Sequence, residues 1–101
     1  MSRSKQESYR IYGSPERQAF VRSLGCLIDG SEPELAHTRT GGMGRKADAE
    51  TIVPLCHAHH SELHQHGVKT FEQSWGVDLQ ATAAWIEAKW QSRVTSTQLT
   101  D

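Results

Sequence analysis

The sequence predicts a small α+β domain in which two short strands lead into a helix, with further helices on either side. The chain has 101 residues, which is enough for one domain with one hydrophobic core. Segments 34–38 and 51–54 are suited to short strands, and the stretches around them carry helix-capping residues and apolar residues at helical spacing. Five of the six histidines lie between residues 57 and 66, at the end of this two-strand unit.

The first predicted helix covers residues 15–24. Ser14 is a good N-cap, Pro15 suits the first helical position, and Gly25 can end the helix. Residues 1–13 are polar and are expected to form a flexible arm, while residues 26–33 are expected to form turns. The domain therefore begins near residue 14.

The two predicted strands enclose a basic segment rich in glycine. The first strand, 34–38, leads to His37, and the second, 51–54, is β-branched and is expected to end at Pro54. The segment between them, 39–50, has three glycines and no apolar period, so it is expected to be a flexible loop.

Three helices are expected after the second strand, over residues 55–67, 68–75 and 79–93. Gly67 and Gly76 end the first two, and Asp78 caps the third. The residues expected on the inner face of the third are Leu79, Thr82, Ala83, Ile86 and Trp90, and all three tryptophans are expected to anchor helix packing. One domain, 14–93, then comprises a ββα core at 34–67 and C-terminal helices at 68–93, followed by a frayed tail at 94–101.

Composition excludes several classes of protein. No apolar run approaches the ~18–20 residues of a membrane span, and the first fourteen residues lack the apolar stretch of a secretory signal. Eleven basic and twelve acidic residues give a formal charge of −1, so any nucleic-acid binding must come from a local patch. We expect a reducing compartment, where a Cys26–Cys56 disulfide is less favourable than metal ligation.

The histidine-rich helix can present ligands on two sides. His60 and His64 are four residues apart, and Cys56 and His59 are three apart, so each pair shares a face. Cys26 and Asp29 could complete a zinc site with Cys56 and His59, because a metal often stabilises so small a domain. Two alternatives remain open. In the first, Asp29 is only a turn residue, and His57 or His66 replaces it as the ligand. In the second, the histidines form a surface cluster that binds no metal.

The loop between the strands can bind phosphate. Three cations surround its glycines, which let a backbone approach closely; they are Arg39, Arg45 and Lys46. The alternative is a solvated surface loop.

The segment AHTRTGGMGRKADAETIVPLCHAHHSELHQHG resembles the core of HNH endonucleases, which have a ββα-metal, treble-clef-like fold. It is most similar to phage and prophage HNH proteins, a group that includes the RecA-dependent nuclease Ref. The upstream His, the GGMGRK loop and the pattern VPLC-x-x-HH-x-x-x-H carry the resemblance, which extends over residues 26–79. It implies a cytoplasmic, phage-derived enzyme that acts on DNA, with a recombinase or another phage protein as a further partner.

The resemblance also implies roles for residues. His37 would be the general base, and His60 and His64 would hold a divalent ion (Mg, Mn, Ni or Zn) at the scissile phosphate. Cys26, Cys56 and His59, with Asp29, would hold structural zinc. Ala36 stands where related sites have a further ligand, which leaves Asp48 as the nearest substitute, and Thr51 stands where an asparagine normally orients the base.

These departures leave three functions open. The first is a metal-dependent DNA endonuclease, and the second is a catalytically weak or inactive zinc-stabilised nucleic-acid-binding module. The third is a protein-interaction domain whose histidines bind no metal.

Overall fold

The computed structural model describes residues 9, 11–38 and 49–99, with side chains up to residue 94. Over these residues the protein is a small α+β unit of three helices and a two-stranded sheet. The elements in chain order are α1 (Pro15–Ser23), β1 (Glu34–His37), a 3-10 turn (Ala49–Thr51), β2 (Ile52–Leu55), α2 (His57–Trp75) and α3 (Leu79–Leu99). None of the described helices is long and apolar enough to cross a membrane.

Helix α1 begins as its capping residues predict. The Ser14 hydroxyl accepts a hydrogen bond of 3.1 Å from the Arg17 N–H, and Pro15 occupies the first turn. The chain then turns at Gly25, whose φ is +77°. A Cβ at this position would lie 2.9 Å from the Gly30 carbonyl oxygen, so the turn requires glycine.

The segment before α1 is packed against the domain, and the expectation of a loose arm is wrong for residues 11–13. Ile11 is 6% exposed, and the Tyr12 ring lies 5.2 Å from the His37 ring. The Gly13 N–H donates to the Tyr9 carbonyl at 2.8 Å, and Tyr9, Ile11 and Tyr12 are helical, which shows a helical turn rather than an extended arm. The few apolar side chains of this polar segment are therefore enough to fix it to β1.

The two strands pair antiparallel, with Glu34 opposite Leu55 and His37 opposite Ile52. Pro54 was expected to end the second strand, but it lies inside β2 opposite Leu35. A strand at a sheet edge tolerates proline because the missing N–H faces away from the ladder. The Pro54 carbonyl is also used, since it accepts a hydrogen bond of 2.9 Å from the Leu27 N–H.

Helix α2 contains both of the helices predicted for this stretch. It begins at His57 rather than at residue 55, because Leu55 pairs in β2 and Cys56 is the N-cap. Gly67 interrupts it with φ 86° and ψ 166°, so residues 57–66 and 68–75 run as two segments on either side of a kink. Gly76 ends α2 in the left-handed conformation, as expected.

Helix α3 begins after Asp78, whose Oδ1 accepts a hydrogen bond from the Ala81 N–H. Three of the five residues predicted for its inner face are buried, Leu79, Ala83 and Ile86, whereas Thr82 and Trp90 are partly buried. The expectation for Trp85 is wrong, because its side chain is 53% exposed. The sequence predicts an end at residue 93, whereas the helix continues to Leu99.

The core lies between the sheet and the three helices. Its largest fully buried side chains are Phe71, Ile52, Leu55, Leu79, Ile86, Val21 and Val53. Beside it Arg17, 5% exposed, donates to a Glu87 carboxylate oxygen at 2.7 Å and to the Ala49 carbonyl at 3.1 Å. This cation joins α1, the 3-10 turn and α3, and both of its partners are distant in sequence.

Candidate metal centre

A tight turn after α1 presents Cys26 and Asp29. The Gly30 N–H donates to the Cys26 carbonyl, the Cys26 N–H donates to the Ser31 carbonyl, and both distances are 2.8 Å. The Ile28 N–H donates to the Cys26 sulfur at 3.4 Å. The turn is therefore closed by its own backbone, and it fixes the cysteine sulfur before any metal binds.

Ser31 orients the Asp29 carboxylate. Its backbone N–H and its hydroxyl both donate to Oδ1, at 3.0 and 2.6 Å. These bonds, the hydroxyl first, lower the pKa of Asp29 to about 2. Because Oδ1 is occupied by Ser31, Oδ2 is the oxygen that faces the second half of the centre.

The second half comes from the start of α2. Cys56 is the N-cap, and His59 follows one turn later. The His59 backbone N–H lowers the pKa of the Cys56 thiol, which favours the thiolate that binds metals. The His59 ring packs edge-on against Trp75, with the ring centroids 5.0 Å apart.

The two halves meet with ligand spacing. The His59 Nδ1 atom lies 3.1 Å from the Cys56 sulfur, 3.8 Å from the Cys26 sulfur and 3.7 Å from the Asp29 Oδ2 atom. Tetrahedral bonds of zinc length place ligand atoms about 3.3–3.8 Å apart. All four ligand atoms lie within 4.8 Å of one another, so small side-chain movements would bring them onto one ion.

The four residues that the sequence groups are thus brought together, and they could bind a metal ion such as structural zinc. Two cysteines, a histidine and an aspartate are a donor set that suits zinc. The free cysteines form no disulfide with each other.

A second cluster lies on the neighbouring side of α2. The Nε2 atoms of His60 and His64 lie 3.1 Å apart, and the ring centroids are 4.7 Å apart. Two imidazole nitrogens bound to one ion at about 2.0–2.1 Å would be about 3.0–3.4 Å apart. The pair therefore already has the spacing of two ligands on one ion.

Glu34 of β1 lies behind this pair and was missed in the sequence. The His60 Nδ1–H donates to its Oε1 at 2.8 Å, and the His57 Nδ1–H donates to its Oε2 at 3.0 Å. These bonds, that of His60 first, lower the pKa of Glu34. The signal in the sequence is weak, because 26 residues separate Glu34 from His60.

His37 contacts the N-terminal segment rather than the His60–His64 pair. Its Nε2–H donates to the Ile11 carbonyl at 2.6 Å, and its ring lies against Tyr12. Strand alternation explains this, since side chains three apart in β1 point to opposite faces and Glu34 faces α2. Ala36, which precedes His37, is fully buried.

Thr51 and the two alternative ligands, His57 and His66, lie outside the group formed by Cys26, Asp29, Cys56 and His59. The Thr51 carbonyl accepts hydrogen bonds from the Thr38 N–H and hydroxyl at 3.1 and 2.7 Å, which closes the strand pair beyond His37. The alternative ligand His57 contacts Glu34, and His66 is exposed. Arg39, Arg45, Lys46 and Asp48 lie outside the described residues.

Comparisons with known proteins place the chain in a family. It is 43% identical over 72 residues to "Uncharacterized protein YdfU" of Escherichia coli strain K12, a match that covers 67% of this chain and 20% of that protein. The chain thus spans about a fifth of the length of this relative. No solved structure matches it significantly. A family model described as "Protein of unknown function (DUF968)" matches residues 1–91, and the chain therefore belongs to the DUF968 family.

Proposed function

We propose that this protein is a metal-dependent DNA endonuclease of the HNH type, which hydrolyses phosphodiester bonds. The observation that carries the proposal is the 3.1 Å separation of the His60 and His64 Nε2 atoms, on the helix that follows the β1–β2 pair. This order of elements is the ββα arrangement of the proteins that the sequence resembles. The His60–His64 pair would hold the divalent ion.

The chain supplies a base in His37. Because its Nε2–H donates to the Ile11 carbonyl, the neutral ring carries its lone pair on Nδ1, the atom that can take a proton from water. The water oxygen would attack phosphorus while the bond to the 3′-oxygen breaks, and the departing oxygen would take a proton from solvent, leaving a 5′-phosphate and a 3′-hydroxyl. A divalent ion held by His60 and His64 would polarise the phosphoryl group and stabilise charge on the departing oxygen.

The centre formed by Cys26, Asp29, Cys56 and His59 has a different role in this proposal. Four protein ligands would fill the shell of a tetrahedral ion and leave no position for substrate, which is typical of structural zinc. We therefore assign it to folding, where it joins the turn after α1 to the start of α2.

A second candidate is a zinc-stabilised nucleic-acid-binding module with little or no catalysis. The observation in its favour is the position of His37, whose contacts are with Ile11 and Tyr12 on the far face of β1 from Glu34. The same folding centre would serve this function, and the partner in both cases is DNA.

Nicking of supercoiled plasmid by the zinc-loaded protein tests the nuclease, with Mg²⁺, Mn²⁺ or Ni²⁺ added in turn. We expect metal-dependent nicking that falls at least about 100-fold in His37→Ala, because general-base catalysis contributes about 10²–10⁴-fold. His64→Ala should lose activity as well, since it removes half of the pair.

His66→Ala is the matched control, because His66 is an exposed histidine on the same helix and should be dispensable. Nicking that survives in His37→Ala would contradict the assigned base. No nicking with any metal, with or without a recombinase filament, together with retained DNA binding, would favour the second candidate.

A further inference from the structure

We propose that Glu34 is a positioning residue that holds the His60 ring with its Nε2 lone pair toward the His60–His64 metal position. The inference rests on the proposed function, because it concerns the same pair of histidines. It adds a residue from β1 to a site whose ligands come from α2. Neither the predicted ligand set nor the family membership assigns Glu34 a role.

A short hydrogen bond joins His60 to Glu34. The His60 Nδ1–H donates to the Glu34 Oε1 atom at 2.8 Å, within the range of a charge-assisted hydrogen bond. A proton held on Nδ1 leaves Nε2 without one, and the nitrogen that faces a metal is set by the bond the other nitrogen makes. The His60 Nε2 atom is the one that lies 3.1 Å from His64.

The His60 ring is more buried than the carboxylate that it contacts. The His60 side chain is 20% exposed, whereas the Glu34 side chain is 47% exposed. The ring is thus held between β1 and α2, and solvent can still reach the carboxylate. Histidine ligands commonly donate their second nitrogen to a carboxylate in this way, and loss of that partner costs about 10- to 100-fold in metal affinity.

His57 provides the internal comparison. Its Nδ1–H donates to the other oxygen of Glu34, at 3.0 Å, but its side chain is 83% exposed. His57 and His60 thus bond different oxygens of the same carboxylate. A variant of His57 leaves the Glu34–His60 bond in place, whereas a variant of Glu34 removes both bonds.

Calorimetric titration of Ni²⁺ into the zinc-loaded protein measures the pair directly. We expect a site that disappears in His64→Ala, weakens about 10- to 100-fold in Glu34→Ala and is close to wild type in His57→Ala. Glu34→Gln should bind more tightly than Glu34→Ala, because a Gln oxygen can still accept from His60. Nitrogen-15 NMR of the nickel-free protein should show the His60 proton on Nδ1 in wild type and its move toward Nε2 in Glu34→Ala.

The outcomes separate the two proposals. Wild-type and Glu34→Ala proteins with equal Ni²⁺ affinity, at a site that still requires His64, would overturn the role of Glu34 and leave the metal pair intact. Absence of any His64-dependent site in the wild type would overturn the pair itself, and with it the proposed function. Equal melting temperatures of wild type and Glu34→Ala would show that the affinity change is not a folding defect.

Discussion

Arg17 joins the first and third helices through a nearly buried ion pair. Its guanidinium is nearly buried and bonds both the Glu87 carboxylate and the Ala49 carbonyl. We expect Arg17→Ala to reduce the free energy of unfolding by about 2–4 kcal/mol, because it removes the cation from a partly buried carboxylate and the donor from a buried carbonyl. Urea unfolding measures this, with Arg22→Ala, an exposed arginine of α1, as the control. Equal stability of the two variants would contradict the role of Arg17.

Residues with distant partners could not be predicted from the sequence. Arg17 reaches Glu87 over 70 positions, and His37 reaches Ile11 over 26. Nothing in the neighbouring residues indicates either bond, since each depends on how elements pack. The metal group could be predicted although its halves are distant in sequence, because Cys56 and His59 share a helical face and the ligand chemistry of Cys26 and Asp29 marks them as partners.

At the scale of elements, the kink of α2 separates its two tasks. The first segment carries the histidines, and the second places Phe71, fully buried, in the core. Gly67 permits the change of direction because its φ of 86° and ψ of 166° are essentially restricted to glycine.

We expect Gly67→Ala to cost up to about 3 kcal/mol, from backbone strain or from straightening of the helix. Gly76→Ala is the matched control, since the left-handed conformation of Gly76 costs an alanine only about 1–2 kcal/mol. Thermal unfolding of both variants gives the comparison, and a smaller loss at Gly67 than at Gly76 would count against the kink as a required feature.

Local sequence signals predict the type of each helix and strand, but they predict the first and last residues of these elements less accurately. Ser14, Gly67 and Asp78 mark boundaries because capping is a contact within one turn. The end of α3 does not follow from such a signal: the β-branched and hydroxyl residues after 93 have weak helix propensity, yet the helix continues to Leu99. Helix α2 begins later than the sequence predicts because Leu55 pairs in β2, and helix-capping patterns do not indicate strand pairing.

At the scale of the molecule, the candidate metal centre lies between the turn after α1 and the start of α2. If zinc binds to Cys26, Asp29, Cys56 and His59, a chelator should lower the melting temperature by ~10 °C or more, because metal binding is coupled to folding. Each kcal/mol lost corresponds to about 4–8 °C in a domain of this size.

Cys56→Ala should melt at the lower temperature and should no longer respond to the chelator, while His66→Ala should behave as wild type. Calorimetry of the three proteins, with and without chelator, makes this comparison. A wild-type melting temperature that the chelator leaves unchanged would remove the structural role of the centre.

The first and last helices of the described chain are neighbours. Phe20 of α1 packs on Trp90 of α3 with the ring centroids 5.5 Å apart, beside the Arg17–Glu87 ion pair. A domain whose N-terminal and C-terminal helices lie together can be inserted into a longer polypeptide without interrupting its core. The E. coli relative, of which the match covers 20%, shows that a segment of this kind is carried by a larger protein.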